Sequence, residues 1–131
     1  MPAYPIEIIL NRQLADCLAI PVFITDTKGN LIFYNEPAEN VLGSRFEETG
    51  EMAVETWSTI FKQSDDDGNI LPPDQLPLVR TLKNAVPHHK TFWIESLKGV
   101  REKISVTAYP IIGRSSKFLG AVAIFWKSKD E

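Results

Sequence analysis

The chain has 131 residues, 44% of them hydrophobic and 24% charged, with a net charge of −3 at pH 7, which suits one ordinary globular domain with a single core. The slight acidity offers no basic face for nucleic acid, residues 1–10 carry no Lys or Arg to start a secretory signal, and no apolar run reaches the ~18 residues of a membrane span. Cys17 is the single cysteine, so there is no disulfide framework and no cysteine cluster for zinc, and a cytoplasmic location is expected.

Residues 6–18, IEIILNRQLADCL, set Ile6, Leu10, Leu14 and Cys17 or Leu18 at helical spacing while Arg12, Gln13 and Asp16 are polar. That spacing predicts an amphipathic helix. Pro21 ends it, and Val22–Thr25 reads as a short strand. A turn around Lys28-Gly29-Asn30 leads to a second strand, Leu31–Tyr34. Asn35 suits a helix N-cap, because its side-chain oxygen can accept an unpaired N–H of the first turn. Pro37 fits that first turn, and Gly43 fits the left-handed position beyond the helix end.

Trp57, Ile60 and Phe61 stand at helical spacing and predict a short helix with one bulky buried face. SDDDGNILPPDQ is a loop dense in turn formers. Asp74 is placed to cap a helix over about 75–86, in which Leu76, Val79, Leu82 or Lys83, and Val86 recur with Leu78 beside them. After Pro87 the period becomes alternating, predicting strands over Lys90–Leu97, Arg101–Ile111 and Phe118–Trp126. Ile104, Val106 and Ala108 share one face of the middle strand, and Ser105, Thr107 and Tyr109 share the other. FLGAVAIFW is apolar on both faces, as a central strand covered on both sides must be. One sheet face takes the helices of residues 36–86, and the other needs a cover from the N-terminal helix or a second subunit. The turn at Lys98-Gly99 leaves its hairpin register open. A two-residue loop sets Trp93 beside Ile104, whereas a three-residue loop sets Ile94 there, and the second is preferred.

Motifs that carry chemistry are scarce. The chain has no phosphate loop, dinucleotide fingerprint, HExxH or nucleophile elbow. His88 and His89 are the only histidines; neighbours in an extended segment point opposite ways and make a poor pair of ligands for one metal, so they read as solvated loop residues. Asp65-Asp66-Asp67-Gly68 resembles part of a calcium loop, but with Gly68 at the invariant glycine the first and last places fall on Gln63 and Asp74. A solvated turn is the better reading. Cys17 lies on the apolar stripe with no activating base nearby in sequence, which favours core packing over nucleophilic catalysis.

Taken together, TDTKGNLIFYNEPAENVLG resembles the first half of a PAS domain, with Asp26, Gly29, Leu31, Asn35, Ala38, Leu42 and Gly43 in the places of its usual pattern. DDDGNILPPDQLPLVRTLKNAV is similar to the insert-and-helix segment of PAS domains from bacterial sensor histidine kinases. ISVTAYPIIGRSSKFLGAVAIFW resembles the closing hairpin, with Pro110 and Gly120 in their usual places. The resemblance covers about residues 14–126, and its three parts agree in order with the elements read independently. It implies an α+β fold with a five-stranded antiparallel sheet in the order 2-1-5-4-3, helices on one face, and Asp26 and Asn35 in structural roles. The expected organisation is an N-terminal amphipathic helix over 1–20, a PAS domain over 21–128 and a short polar tail over 129–131.

The function this implies is a non-catalytic, cytoplasmic sensory module of bacterial two-component type, a homodimer that binds a small apolar ligand or a signalling partner such as a sensor kinase. The ligand-facing set it implies is Phe23, Trp57, Phe61, Leu78, Leu82, Ile94, Ile104, Val106, Val122 and Ile124, with no catalytic or metal-binding residue. Ligand identity stays open, but the residues argue against haem and flavin: no Asn-Cys-Arg motif is present for flavin photochemistry, and only the two adjacent histidines could meet a haem iron. IFWKSKDE lacks the Asp-Ile-Thr junction that leads into a signalling helix, so either a partner is bound or the chain is a piece of a longer protein. The rival readings are a dimerisation scaffold with a solid core and a small cone-shaped isomerase or hydrolase. The enzyme would need a polar acid or base in its cavity.

Overall fold

The computed structural model describes residues 4–42, 50–53, 55–57, 62–95 and 99–128. Its elements are α1 (Ile6–Cys17), β1 (Val22–Thr25), β2 (Leu31–Tyr34), α2 (Glu36–Leu42), α3 (Pro77–Asn84), β3 (His88–Glu95), β4 (Arg101–Ile112) and β5 (Phe118–Lys127), with short 3-10 turns at Pro73–Gln75 and Arg114–Ser116. The strands form one antiparallel sheet in the order β2-β1-β5-β4-β3. The chain's first and last strands therefore meet in the middle, as the two-sided apolarity of FLGAVAIFW requires.

The β1–β2 connection closes through Asp26. Its Oδ1 accepts the N–H groups of Lys28 and Asn30 at 3.0 and 2.9 Å, and Gly29 takes the left-handed φ of 87° that the turn demands. The pattern Asp-x-x-Gly-Asn recurs at 65–69 with the same geometry: Asp65 Oδ1 accepts from Asp67 and Asn69, both at 2.9 Å. The acidic run is thus a second turn built by the same chemistry, and no group of three or more metal-ligating side chains occurs among the described residues. The hairpin it closes docks on β3, where Ser64 exchanges both backbone hydrogen bonds with Trp93 at 2.9 Å.

Two apolar layers sandwich the sheet. The inner layer, under α2 and α3, includes Leu31, Tyr34, Ala38, Trp57, Leu78, Phe92, Ile104, Val106, Ala123 and Phe125. The outer layer joins Ile8 and Ala15 of α1 to Val22, Ile24, Ile32, Phe33, Ile111 and Val122. The N-terminal helix itself is therefore the cover of the second face over β1 and β5.

Several local expectations are corrected. Asp74 does not cap α3: Leu76 is the N-cap, without a side-chain bond, and Pro77 occupies the first turn. His88 and His89 begin β3 rather than a loop, and His89 Nδ1 lies 2.9 Å from Thr107 Oγ1. The β3–β4 pairing sets Phe92 opposite Ile104 and Ile94 opposite Glu102, because the connection runs from 96 to 100 instead of closing in two or three residues. Ile94 and Ile104 still share a face, since pairing shifted by two residues preserves it. On α1 the side turned to the sheet carries Ile8 and the small Ala15, 2% and 1% exposed. Ile6, Leu10 and Leu14 consequently face outward at 66%, 54% and 55% exposure. Cys17 is exposed with them rather than packed in the core.

Candidate functional site

The inner layer does not fill its space. A cavity of about 60 Å³ lies between the sheet and the segment leading into α3. Its walls are Phe23 of β1, Trp57, Gln63, Leu76–Leu78, Phe92 and Ile94 of β3, Ile104 and Val106 of β4, and Ala123 and Phe125 of β5. Phe23 packs edge-on against both Tyr34 and Phe125, with ring centroids 5.7 and 5.0 Å away. Pairing fixes who faces the cavity: Val106 stands opposite Phe125 and Ala108 opposite Ala123, so odd-numbered β5 residues turn inward.

Of the residues implied by the resemblance, Phe23, Trp57, Leu78, Ile94, Ile104 and Val106 line this cavity together. Leu82 packs against the inner core without reaching the cavity wall. Val122 and Ile124 are corrected: they belong to the outer layer, opposite Ile24 and Val22. A strand apolar at every position carries no alternation by which to choose its inward set; the β4–β5 register alone decides it. Phe61 lies outside the described residues. The sequence reading missed Gln63, Leu76, Pro77, Phe92, Ala123 and Phe125. Phe92 and Phe125 follow once the register is known. Gln63, a polar residue beside a turn, gave no signal of facing a cavity.

Two polar ties hold the walls in place. The Trp57 indole N–H donates to the Gly29 carbonyl at 2.7 Å, which moors the cavity wall to the β1–β2 turn. Asn35, 2% exposed, does more than cap α2. Its Oδ1 accepts from Ala38 N–H at 3.2 Å and from Val22 N–H at 3.0 Å. Its Nδ2 donates to the carbonyls of Ala15 and Ile20, each at 2.9 Å. All four amide hydrogen-bonding positions are used, and α1, β1 and α2 are joined at one buried side chain.

The titrating groups whose behaviour is perturbed lie away from the cavity. Asp66 is held below its ordinary value by the indole N–H of Trp93, 3.0 Å away, and by Lys103, 3.2 Å away. Tyr4 is raised, chiefly because its hydroxyl donates to Glu51 at 2.8 Å. Tyr109 is raised by burial. No described residue of the cavity wall is ionisable. No helix among the described residues is long and apolar enough to cross a membrane.

Comparison with known proteins places these features. A family model described as "PAS domain" matches residues 10–80, more than half of the chain. A search of curated proteins gives no match. Among solved structures, a PAS domain from Colwellia psychrerythraea is 18% identical with a TM-score of 0.65, covering 94% of this chain and 99% of its own. The PAS domain of nitrogen regulation protein NR(II) from Vibrio parahaemolyticus is 15% identical with a TM-score of 0.62, covering 91% and 98%. The Rhodobacter sphaeroides LOV protein is 11% identical with a TM-score of 0.72, covering 94% of this chain and 68% of its own. At such identities the structures establish the fold alone, and the family rests on the sequence model, whose match spans the Asp26 turn and the Asn35 hub and ends in the first turn of α3. The chain belongs to the PAS domain family.

Proposed function

We propose that this chain is a non-catalytic sensory module that binds a small, largely apolar molecule between the sheet and α3 and passes the change to a partner. The observation that carries the reading is the inner cavity, walled by aromatic and aliphatic side chains and free of ionisable groups among its described lining residues. A hydrolase or isomerase would need an acid or base there. The solved structures it resembles include the PAS domain of a nitrogen regulation protein and the LOV domain of a blue-light-activated histidine kinase from Erythrobacter litoralis, which supports a place in bacterial, cytoplasmic signal transduction of the two-component kind. The unit that folds around the cavity is assigned to residues 21–128, with 1–20 as an appended helix and 129–131 as a tail. The mechanism is differential affinity: a ligand that prefers one arrangement of α2 and α3 shifts the population, and the partner reads the shift.

The test is extraction and mass spectrometry of small molecules retained by the purified protein, followed by thermal-shift screening of compact neutral compounds. A ligand at a hundredfold excess over its dissociation constant should stabilise the fold by about 2.7 kcal/mol. Ala123→Val narrows the cavity from its floor and should abolish that shift. Screens that give no shift with the parent chain would leave the scaffold reading in its place.

That second reading has its own support in the outward stripe of α1, Ile6, Leu10 and Leu14. Three large aliphatic side chains at this spacing form the seam by which one helix packs on another, and a second copy of the chain is the occupant proposed for it. Scaffold and sensor are compatible, since a homodimer joined through α1 leaves the cavity on the opposite side of the sheet.

A further inference from the structure

The sheet ends on β3, and one pairing fixes which way that strand's backbone groups point. Trp93 exchanges both backbone hydrogen bonds with Ser64, each at 2.9 Å, so its N–H and C=O point away from β4. Backbone groups alternate along a strand, which turns those of Thr91 and His89 to the same open side. The side chains agree with this phase. Thr91 Oγ1 lies 2.9 Å from Ser105 Oγ, and His89 Nδ1 lies 2.9 Å from Thr107 Oγ1, the close approach of cross-strand pairs that exchange no backbone bonds. The Asp65–Asn69 turn carries the pairing segment away after Ser64. Among the described residues no group meets the backbone N–H or C=O of Thr91 or His89, and both residues are exposed.

The charge around this edge is one-sided. Residues 75–94 hold Arg80, Lys83 and Lys90 and no Asp or Glu, in a chain whose net charge is −3. None of these cations has a carboxylate partner among the described residues. Lys90 shares its sheet face with Phe92 and Ile94 of the cavity wall, the face that carries α3. Thr81 Oγ1 of α3 donates to the Ala108 carbonyl at 3.3 Å, and Ala108 is the cross-strand partner of His88. That bond holds α3, with Arg80 and Lys83 exposed on it, over the start of β3. Asp66, beside the other end of the strand, is engaged on the opposite face by Trp93 and Lys103.

We infer that the free edge of β3 is a docking site for an extended acidic segment of a partner protein, which adds to the sheet beyond β3. Unpaired donors and acceptors at alternating positions are the complement of another strand's backbone, and the unpaired cations select its charge. In such a strand every second side chain falls on the side of Lys90 and α3, so carboxylates at alternate positions meet the cations together. A second copy of this chain is the wrong occupant. Pairing two β3 edges would set the same positive stretch against itself, which is how edge lysines keep sheets apart. The inference does not depend on the cavity holding a ligand.

The probe is the blocked peptide Thr-Glu-Val-Glu-Val-Glu-Thr, with Thr-Lys-Val-Lys-Val-Lys-Thr as its charge control, titrated into the full chain and followed by NMR. The acidic peptide should slow solvent exchange of the His89 and Thr91 amides, while those of Lys90 and Phe92, which face β4, stay as they were. The lysine peptide should leave all of them unchanged. Lys90→Glu should weaken the acidic peptide by about five- to tenfold. Thr91→Pro should abolish its binding, since proline removes an outward N–H without breaking a β3–β4 bond. Three results would each overturn the inference: no binding of the acidic peptide at millimolar concentration, equal binding of both peptides, or binding that leaves the His89 and Thr91 amides exchanging as before. So would protection of those amides in the free chain that rises with its own concentration, which marks the edge as a contact between copies. The exchange measurement uses the unaltered chain, so it decides the matter even if a variant folds poorly.

Discussion

Replacing Asn35 by alanine tests how much of the fold hangs on one amide. As a simple N-cap its loss would cost about 1 kcal/mol. The structure gives a larger figure. Ala15, Val22 and Ala38 are 1%, 3% and 0% exposed, so water does not readily replace the lost partner at their backbone groups. Ile20 is 39% exposed, and its carbonyl can turn to solvent. Beyond the cap, two buried backbone groups lose their partner, each at about 1–3 kcal/mol. The expected destabilisation is about 3–7 kcal/mol, a large part of the 5–15 kcal/mol typical of a whole domain. Urea denaturation should show it as a lower midpoint with an unchanged slope. Asn35→Asp sharpens the test: it keeps both acceptor roles but turns a carboxylate oxygen on the Ala15 and Ile20 carbonyls. Its deficit should shrink as pH falls and the introduced carboxyl gains a proton to donate. A loss of about 1 kcal/mol for Asn35→Ala, with no pH dependence for Asn35→Asp, would refute the hub and leave only a cap.

Other outcomes follow from single contacts. Gly120→Ala would set a Cβ 2.3 Å from the Thr25 carbonyl oxygen and 3.2 Å from Ile8 Cδ1, so it should cost 1–3 kcal/mol or more in denaturant midpoints, about the upper range of overpacking. Gly68→Ala meets nothing within 4 Å and should cost only the ~1–2 kcal/mol of its left-handed backbone. Ala85 ends α3 at φ 55° with its N–H on the Thr81 carbonyl at 2.8 Å, and Ala85→Gly should stabilise the chain by roughly 0.5–1 kcal/mol. Because Asp66 is lowered by Trp93 and then Lys103, its carboxylate favours the folded state above the ordinary value of 3.8 and that contribution is lost as pH falls through the lowered one; Trp93→Phe should move the NMR titration midpoint upward. Leu10→Glu with Leu14→Glu should turn a sedimenting dimer into a monomer while its circular dichroism stays unchanged; a parent chain that is already monomeric at high concentration would defeat the dimer claim.

Much of the fold was legible because its punctuation is chemical. Asp26 and Gly29 dictate a turn whatever surrounds them, and Asn35 followed by Pro37 dictates a helix start. The alternation of Ile104, Val106 and Ala108 against Ser105, Thr107 and Tyr109 separates core from exterior, and the structure places the first three inward. The β3–β4 register was not legible, since the loop between the strands contains no tight-turn pair that fixes its length.

Where both sides of an element are apolar, the sequence cannot say which side faces what. On β5 the set Val122 and Ile124 is as hydrophobic as Ala123 and Phe125, and only hydrogen bonding to β4 sends the second set to the cavity. On α1 the longer stripe, Ile6, Leu10 and Leu14, looks like the buried one, yet the sheet takes Ile8 and Ala15. The small side chain explains the choice: Ala15 lets the end of α1 come close enough for its carbonyl to accept from Asn35 at 2.9 Å. A bulky residue there would hold the helix off that bond. Gln63 is the converse case, a polar residue whose burial depends on a turn, a strand pairing and a cavity that no local pattern encodes. It lines the cavity because Ser64 beside it pairs with Trp93 of β3 and its carbonyl is tied to Leu71, which is a property of the assembled fold.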